Sequence, residues 1–146
     1  MFSLIISIIS IALVAALAAA TVYFGGAAFN KGGAGADAST FINAGQQIAG
    51  AFTLSEVDAG VAVSAVADLS PHYLAQEPSY KGKLFALSTD TDTDYVKMTV
   101  NTADICSEIN KRANGVNESG AVVNVTAVDG LYGCVTADKT AFYKVK

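Results

Sequence analysis

The stretch that decides the fold reads Phe2-Ser3-Leu4-Ile5-Ile6-Ser7-Ile8-Ile9-Ser10-Ile11-Ala12-Leu13-Val14-Ala15-Ala16-Leu17-Ala18-Ala19-Ala20. It is apolar apart from its serines, and no Asp, Glu, Lys, Arg or His occurs from Met1 to Asn30. As an α-helix rising about 1.5 Å per residue, the charge-free segment would be about 45 Å long. A bilayer core needs roughly 20 apolar residues. The sequence therefore predicts a helix over residues 1–30 that is long enough to span a membrane.

Three roles are open for this segment. A cleaved secretory signal has an apolar region of about 7–15 residues, with positive charge before it and a small-residue cleavage site after it. Ala18-Ala19-Ala20 would serve as that site, but the apolar run is longer and no Lys or Arg precedes it. The second role is a permanent anchor. The third is a helix that lies first in a membrane and later in a protein assembly, which the Ala-rich second half favours because small residues let helices approach closely.

Three serines lie on one face of this predicted helix. Ser3, Ser7 and Ser10 are spaced by four and three residues, so they are neighbours on the helix surface. Their hydroxyls can donate back to the helix's own carbonyls or across to another helix. Both alternatives are open from the sequence.

Length and charge limit the remaining part of the chain. The 146 residues suffice for the apolar segment and one further domain, which we place at residues 31–146. The net charge of −4 comes entirely from residues after Asn30. There is no basic patch, which argues against nucleic-acid binding.

A cluster of glycines separates the two parts. Gly25, Gly26, Gly32 and Gly33 fall where the apolar segment ends, and each costs a helix about 1 kcal/mol relative to Ala. We expect a hinge here, with the long helix kinked or partly unwound at these glycines.

A second helical pattern follows the glycines. Asp37 or Ser39 is suited to cap its start, and the helix is expected to end near Gly60. Its apolar face is predicted from residues that repeat every three or four positions, namely Phe41, Ala44, Gln47, Ile48, Ala51, Phe52 and Val57. This helix can continue the axis of the first, with its apolar face covered by a sheet.

The next elements are shorter. Residues 68–74 predict a turn leading into a short helical turn, which Pro78 closes. Residues 83–88 and 95–101 predict two strands, the second with the alternation of a half-buried strand. The polar residues 89–94 between them predict a hairpin tip.

The C-terminal third predicts one more helix and a final hairpin. Thr102 or Asp104 can cap a helix that runs to Asn114 and stops at Gly115. Residues 121–128 predict a strand or an ordered loop, and residues 131–136 and 140–145 predict a hairpin. Helices followed by adjacent strands indicate an α+β fold, in which a long N-terminal helix packs on the antiparallel sheet of a head domain.

The two cysteines, Cys106 and Cys134, allow one bridge. Beyond a membrane, in an oxidising compartment, a disulfide is the natural interpretation. It would close a loop of about 28 residues, worth roughly 3–4 kcal/mol in the chain-entropy model. The alternative is a pair of buried free thiols.

The sequence contains no catalytic constellation. His72 is the only histidine, and no partner is suggested for it as a general base. The glycines at 32–35 lack the Gly-Lys-Ser/Thr ending of a phosphate loop. Asp90-x-Asp92-x-Asp94 resembles the opening of a calcium loop, but Tyr95 and Asn101 stand where an EF-hand needs glycine and glutamate. We expect a solvated acidic tip, with no enzyme activity, cofactor or metal.

The chain resembles a type IV pilin along most of its length. The opening, Phe2-Ser3-Leu4-Ile5, resembles the Phe-Thr-Leu-Ile start of the family's N-terminal helix, and Gln46-Gln47-Ile48-Ala49-Gly50-Ala51-Phe52 resembles the second half of that helix. Asp68-Leu69, Tyr73-Leu74 and Pro78 resemble the leucine, the tyrosine-leucine and the proline that follow it. Ile105-Cys106 and Gly133-Cys134 resemble the family's late cysteine pair.

The resemblance implies the structural subunit of a homopolymeric filament on the bacterial surface, with an inner-membrane pool before assembly. Its implied partners are identical subunits, the pilus assembly machinery and a prepilin peptidase, with processing and methylation at Met1. The filament core is expected to contain the large apolar residues of the opening helix, namely Phe2, Leu4, Ile5, Ile6, Ile8, Ile9, Leu13 and Leu17.

The opening helix departs from the family at one position. The family has a glutamate close behind the mature N-terminus, which offsets the terminal amine of a neighbouring subunit. Ile5 occupies this position if Met1 is the mature start, and Ile6 if Phe2 is. An unpaired buried ammonium costs several kcal/mol, and the helix dipole adds to that cost. The amine is therefore expected to stay near water, lose its proton, or bond to carbonyl or serine oxygens.

Several kinds of protein fit this departure. A divergent major pilin, a minor pilin and a pseudopilin of a secretion system are open. A further alternative is a membrane-anchored extracytoplasmic binding domain that never polymerises.

Overall fold

The computed structural model describes residues 2–60, 63–89, 94–114 and 130–145. The processing position Met1, the acidic loop at 90–93, the helix stop at Gly115 and the predicted strand or loop at 121–128 lie outside these residues. The chain forms two compact units, Met1–Gly33 and Ala34–Lys146.

One helix, α1, comprises residues Phe2–Ala59. The predicted partial unwinding at the glycines is wrong, because the backbone is α-helical at each of them. Once a helix exists, every added residue gains a hydrogen bond, and this gain offsets the cost of glycines that are interspersed with alanines. The helix ends as expected, with Gly60 at φ +62° and its N–H donating to the Glu56 carbonyl.

No second helix begins at Asp37 or Ser39, so that prediction is wrong. The Ser39 hydroxyl donates to the Gly35 carbonyl at 3.0 Å within α1, and Asp37 accepts a hydrogen bond from the Lys81 ammonium at 2.8 Å. Ser39 therefore bonds within α1 and Asp37 bonds to the turn at Lys81, so neither side chain caps a helix start.

The second unit combines helix and antiparallel sheet, which confirms the α+β fold class. A two-stranded hairpin consists of β1 (Ser79–Tyr80) and β2 (Lys83–Leu84). A four-stranded antiparallel sheet has the order β3-β4-β6-β5. Its strands are β3 (Ala86–Thr89), β4 (Asp94–Thr99), β5 (Tyr132–Val135) and β6 (Thr140–Lys144). The other helical elements are a 3-10 helix, Val66–Leu69, and α2, Ala103–Asn114.

Most predicted elements of this unit have observed counterparts. The third helix and the final hairpin are confirmed, and the Thr102 hydroxyl accepts from the Ile105 N–H at 3.4 Å as its cap. The predicted strand at 83–88 is interrupted at Phe85. Its first two residues pair with β1, and only the later ones join the large sheet.

The core of the second unit lies between α1 and the sheet. Most buried positions on α1 follow one another in steps of four and three residues, the spacing of one helix face. They are Ala34, Ala38, Phe41, Gly45, Ile48, Phe52 and Ser55, and Ala51 beside Phe52 is buried as well. Phe41 stacks on Phe85 at 5.6 Å between ring centroids. The predicted face was too wide, because Gln47 and Val57 are exposed.

Gly45 lies where α1 approaches the sheet closely. A Cβ atom at this position would lie 2.5 Å from Cδ2 of Tyr143 in β6, closer than side-chain contacts allow. Only glycine gives α1 this distance from the sheet.

Strand β5 is held by two residues of α2 that lie one helical turn apart. Cys106 and Cys134 form a disulfide with Cα atoms 5.2 Å apart. The buried Asn110 amide donates to the Cys134 carbonyl at 2.9 Å and accepts from its N–H at 2.8 Å. Asn110 therefore satisfies the backbone of β5 as a neighbouring strand would, since buried backbone groups need partners.

Candidate assembly surface

The predicted filament-core residues all lie exposed on the first unit. Even the least exposed of them, Ile5, has 52 % of its surface accessible, and Phe2 has 85 %. The same holds for Leu4, Ile6, Ile8, Ile9, Leu13 and Leu17. No described side chain from Phe2 to Gly33 is buried. Leaving this much apolar surface in water is unfavourable, so the segment requires an apolar environment or partner.

The segment is long and apolar enough to cross a membrane. Within α1, its most apolar window of 18 residues has a mean hydropathy of 2.6, and none of that window is buried. A core helix of a soluble protein also passes a test of length and composition, but such a helix is mostly buried. A signal sequence near the N-terminus remains compatible with these properties.

Three hydroxyl groups of the segment donate hydrogen bonds within the helix itself. Ser7 donates to the Ser3 carbonyl at 2.9 Å, and Ser10 donates to the Ile6 carbonyl at 2.8 Å. Thr21 donates to the Ala18 carbonyl at 2.9 Å. The sequence left open whether the serines donate to the helix's own carbonyls or to another helix, and Ser7 and Ser10 donate to the helix's own carbonyls. The backbone of a helix is satisfied internally as well, so the outward surface is almost wholly apolar.

The start of α1 carries no acidic side chain in its first turn. Ile5 and Ile6, one of which stands where the resemblance implies a glutamate, are exposed. The positive end of the helix dipole is therefore not offset by a side-chain carboxylate of the first turn.

The hinge glycines have open surroundings. A Cβ atom added at Gly25, Gly26, Gly32 or Gly33 would meet no atom within 4 Å. Packing within the described residues therefore does not require glycine at these four positions, in contrast to Gly45. Their role as a hinge stays a prediction.

Aromatic rings follow the most apolar part of the segment. Tyr23 and Phe24 contact edge to face at 5.5 Å between centroids, and Phe29 is 84 % exposed. The first charge of the chain follows at Lys31. This order of aliphatic residues, aromatic rings and charge is typical of the approach to a membrane–water interface.

The described residues contain no group of three or more His, Cys, Asp or Glu side chains placed to hold a metal ion. His72 is exposed in a turn. Outside the apolar segment, the ion pair of Lys81 with Asp37 fastens the β1–β2 hairpin to α1 at 2.8 Å. Hydrogen bonding to Asp37 raises the pKa of Lys81.

Two features of the second unit went unpredicted. The sequence places Asn110 on a polar helix, which is typical of a surface residue. Only its position opposite Cys134 in the structure shows that it bonds to the backbone of β5. A groove on the outer face of the sheet brings together residues from separate strands, among them Lys97 and Thr140.

Comparison of the chain with protein-family models, with curated proteins and with solved structures found no match.

Proposed function

We propose that this chain is the structural subunit of a homopolymeric extracellular filament of the type IV pilus kind. Residues 2–30 lie in the inner membrane first and then pack among the same residues of other copies. The observation that carries the proposal is the exposure of every described large apolar side chain in this segment, on a chain whose second unit has a core of its own.

The energetics favour an environment with apolar contacts on all sides. Burying one Leu or Ile side chain stabilises by about 1.5–3 kcal/mol relative to leaving it in water. Apolar residues occur all around this part of α1, a pattern typical of a helix that is buried on every side. A membrane and a bundle of identical helices both provide this.

Transfer between membrane and bundle is nearly balanced, because both surroundings are apolar. An assembly machinery can therefore add or remove subunits with modest work. Contacts between copies that repeat without closing produce a fibre. The proposed partners are thus identical subunits, the assembly machinery, and a prepilin peptidase acting at Met1.

The test is a charged substitution within the proposed filament core. Leu13→Asp should abolish fibres in sheared surface material viewed by electron microscopy, because a buried unpaired carboxylate is costly. Leu131→Asp is the matched control: Leu131 is 64 % exposed in the second unit, and its fibres should persist. Fibres of normal length from Leu13→Asp would contradict the proposal.

A second candidate is an anchored extracytoplasmic binding domain. It is favoured by the groove on the outer face of the sheet, which a filament subunit does not need. This candidate predicts that the chain is found only in detergent extracts of membranes, with no fibres. A pseudopilin predicts short fibres that depend on a secretion machine.

A further inference from the structure

The outer face of the four-stranded sheet carries a groove of about 640 Å3. Val96 and Met98 of β4 belong to the core beside α1, so the alternation of a strand places Lys97 and Thr99 on the opposite face. Thr99 pairs with Thr140 of β6 across the sheet, and all three of these outward residues line the groove. Its volume is within the range of about 300–1,000 Å3 that is typical of small-molecule sites.

Two lysines give the groove a positive charge. The Lys83 ammonium donates to the Thr99 carbonyl at 3.2 Å and to Oδ1 of Asn101 at 3.0 Å. The Lys97 ammonium donates to the Ser88 hydroxyl at 3.3 Å. These acceptors are neutral, and among the described residues neither ammonium forms an ion pair. On a chain of net charge −4, these two charges attract an anion.

The other lining groups limit the kind of anion. Asp138 lines the same groove, so two positive charges face one negative charge, which favours a ligand with few charges over a polyphosphate. The Asp138 carboxylate accepts hydrogen bonds, and the hydroxyls of Thr99 and Thr140 both donate and accept them. This combination matches a ligand that is rich in hydroxyl groups.

An aromatic side chain borders the polar groups. The half-buried Tyr95 lines the groove and packs edge to face on Phe142 at 6.4 Å between centroids, which holds its ring in place. A ring of this kind offers an apolar body beside polar partners, and the C–H face of a pyranose packs on such a surface.

We propose that the groove binds a short acidic glycan, one or two sugars long, whose carboxylate is attracted by the positive charges of Lys83 and Lys97. The sugar hydroxyls bond to Asp138, Thr99 and Thr140, and one sugar ring packs against Tyr95. This gives the head domain a recognition function that is independent of polymerisation.

The test is calorimetric titration of the full chain in neutral detergent with digalacturonate. Binding should be saturable and should weaken at high salt, because the lysines are partly exposed. Digalactose, the neutral counterpart, should bind at least about tenfold more weakly, which corresponds to the loss of one charge-assisted hydrogen bond.

Variants locate the site. The double variant Lys83→Gln with Lys97→Gln should lose at least about tenfold in affinity. Lys111→Gln removes the same charge from α2, outside the residues that line the groove, and should bind as the wild type does. Lys97→Arg keeps the charge and should retain binding. Melting curves identify any variant that fails to fold.

The proposal would be overturned by absence of binding, by equal affinity for digalactose, or by full binding to the folded double variant. Competition by inorganic phosphate at concentrations equal to those of digalacturonate would also overturn it, because the groove would then be a simple anion site. The titration uses single chains in detergent, so its result does not depend on whether filaments form.

Discussion

The two halves of α1 have the same backbone structure and opposite surroundings. From Phe2 to Gly33 no described side chain is buried, whereas from Ala34 to Ser55 a continuous stripe is buried against the head. The first half is the more apolar, so its exposure does not follow from its composition. The difference shows that hydrogen bonds along the backbone make the helix, while its partners decide which face is covered. The first half lacks its partner in the single chain, and that partner is what the proposed function supplies.

The largest expected effect comes from placing a charge in each half. Ile48→Asp introduces a carboxylate at a fully buried position and should destabilise the head by about 4 kcal/mol or more. Ile9→Asp, at an exposed position, should leave the melting temperature of the head unchanged and abolish fibres. Thermal unfolding in detergent and electron microscopy measure the two effects. Similar losses of head stability in both variants would remove the distinction between the halves.

Removing the disulfide tests whether it stabilises the head without affecting the membrane insertion of α1. The two cysteines are separated by 28 positions, so replacing both with Ser should cost roughly 3–4 kcal/mol of head stability. Insertion of α1 into membranes should be unaffected, since the first half contains no cysteine. Denaturant unfolding and membrane fractionation measure the two. Loss of membrane insertion in the double variant would contradict this separation.

Glycines in the two halves should respond differently to an added methyl group. Gly45→Ala brings a Cβ within 2.5 Å of the Tyr143 ring and should cost about 1–3 kcal/mol in overpacking. Gly33→Ala meets no atom within 4 Å, so the head should melt as in the wild type. Equal melting of the two variants would show that α1 lies farther from the sheet than we describe.

The four glycines that follow the apolar segment test the hinge prediction. Replacing Gly25, Gly26, Gly32 and Gly33 together by Ala should raise the helical propensity of α1 by up to about 1 kcal/mol per residue. If a hinge is needed to bring the head into register in the filament, fibres should become fewer or shorter while the head melts normally. Unchanged fibres would reject the hinge.

The sequence predicted what depends on regular spacing. The three- and four-residue repeat predicted the buried Phe41 and Ile48, and the alternation over residues 95–101 predicted the half-buried strand β4. β1 was missed because two residues are too short to show a period. The groove was missed because its lining residues come from β2 to β6 and from the turn at Asp138, and their proximity is a property of strand order. Gln47 and Val57 were placed on the wrong face because the spacing of a helix pattern does not define the width of the stripe that its partner covers.

The smallest expected effect concerns a tyrosine of the head. Burial raises the pKa of Tyr143 above its ordinary value of 10.0, and the nearby Tyr132 raises it further. Because the folded state holds this proton more tightly, the associated stability is present below pH 10 and is lost as the pH rises through the folded pKa. Tyr143→Phe should therefore lose less stability than the wild type as the pH rises above 10, measured by denaturant unfolding. A profile of Tyr143→Phe identical to that of the wild type would show that burial does not raise the pKa of the Tyr143 hydroxyl.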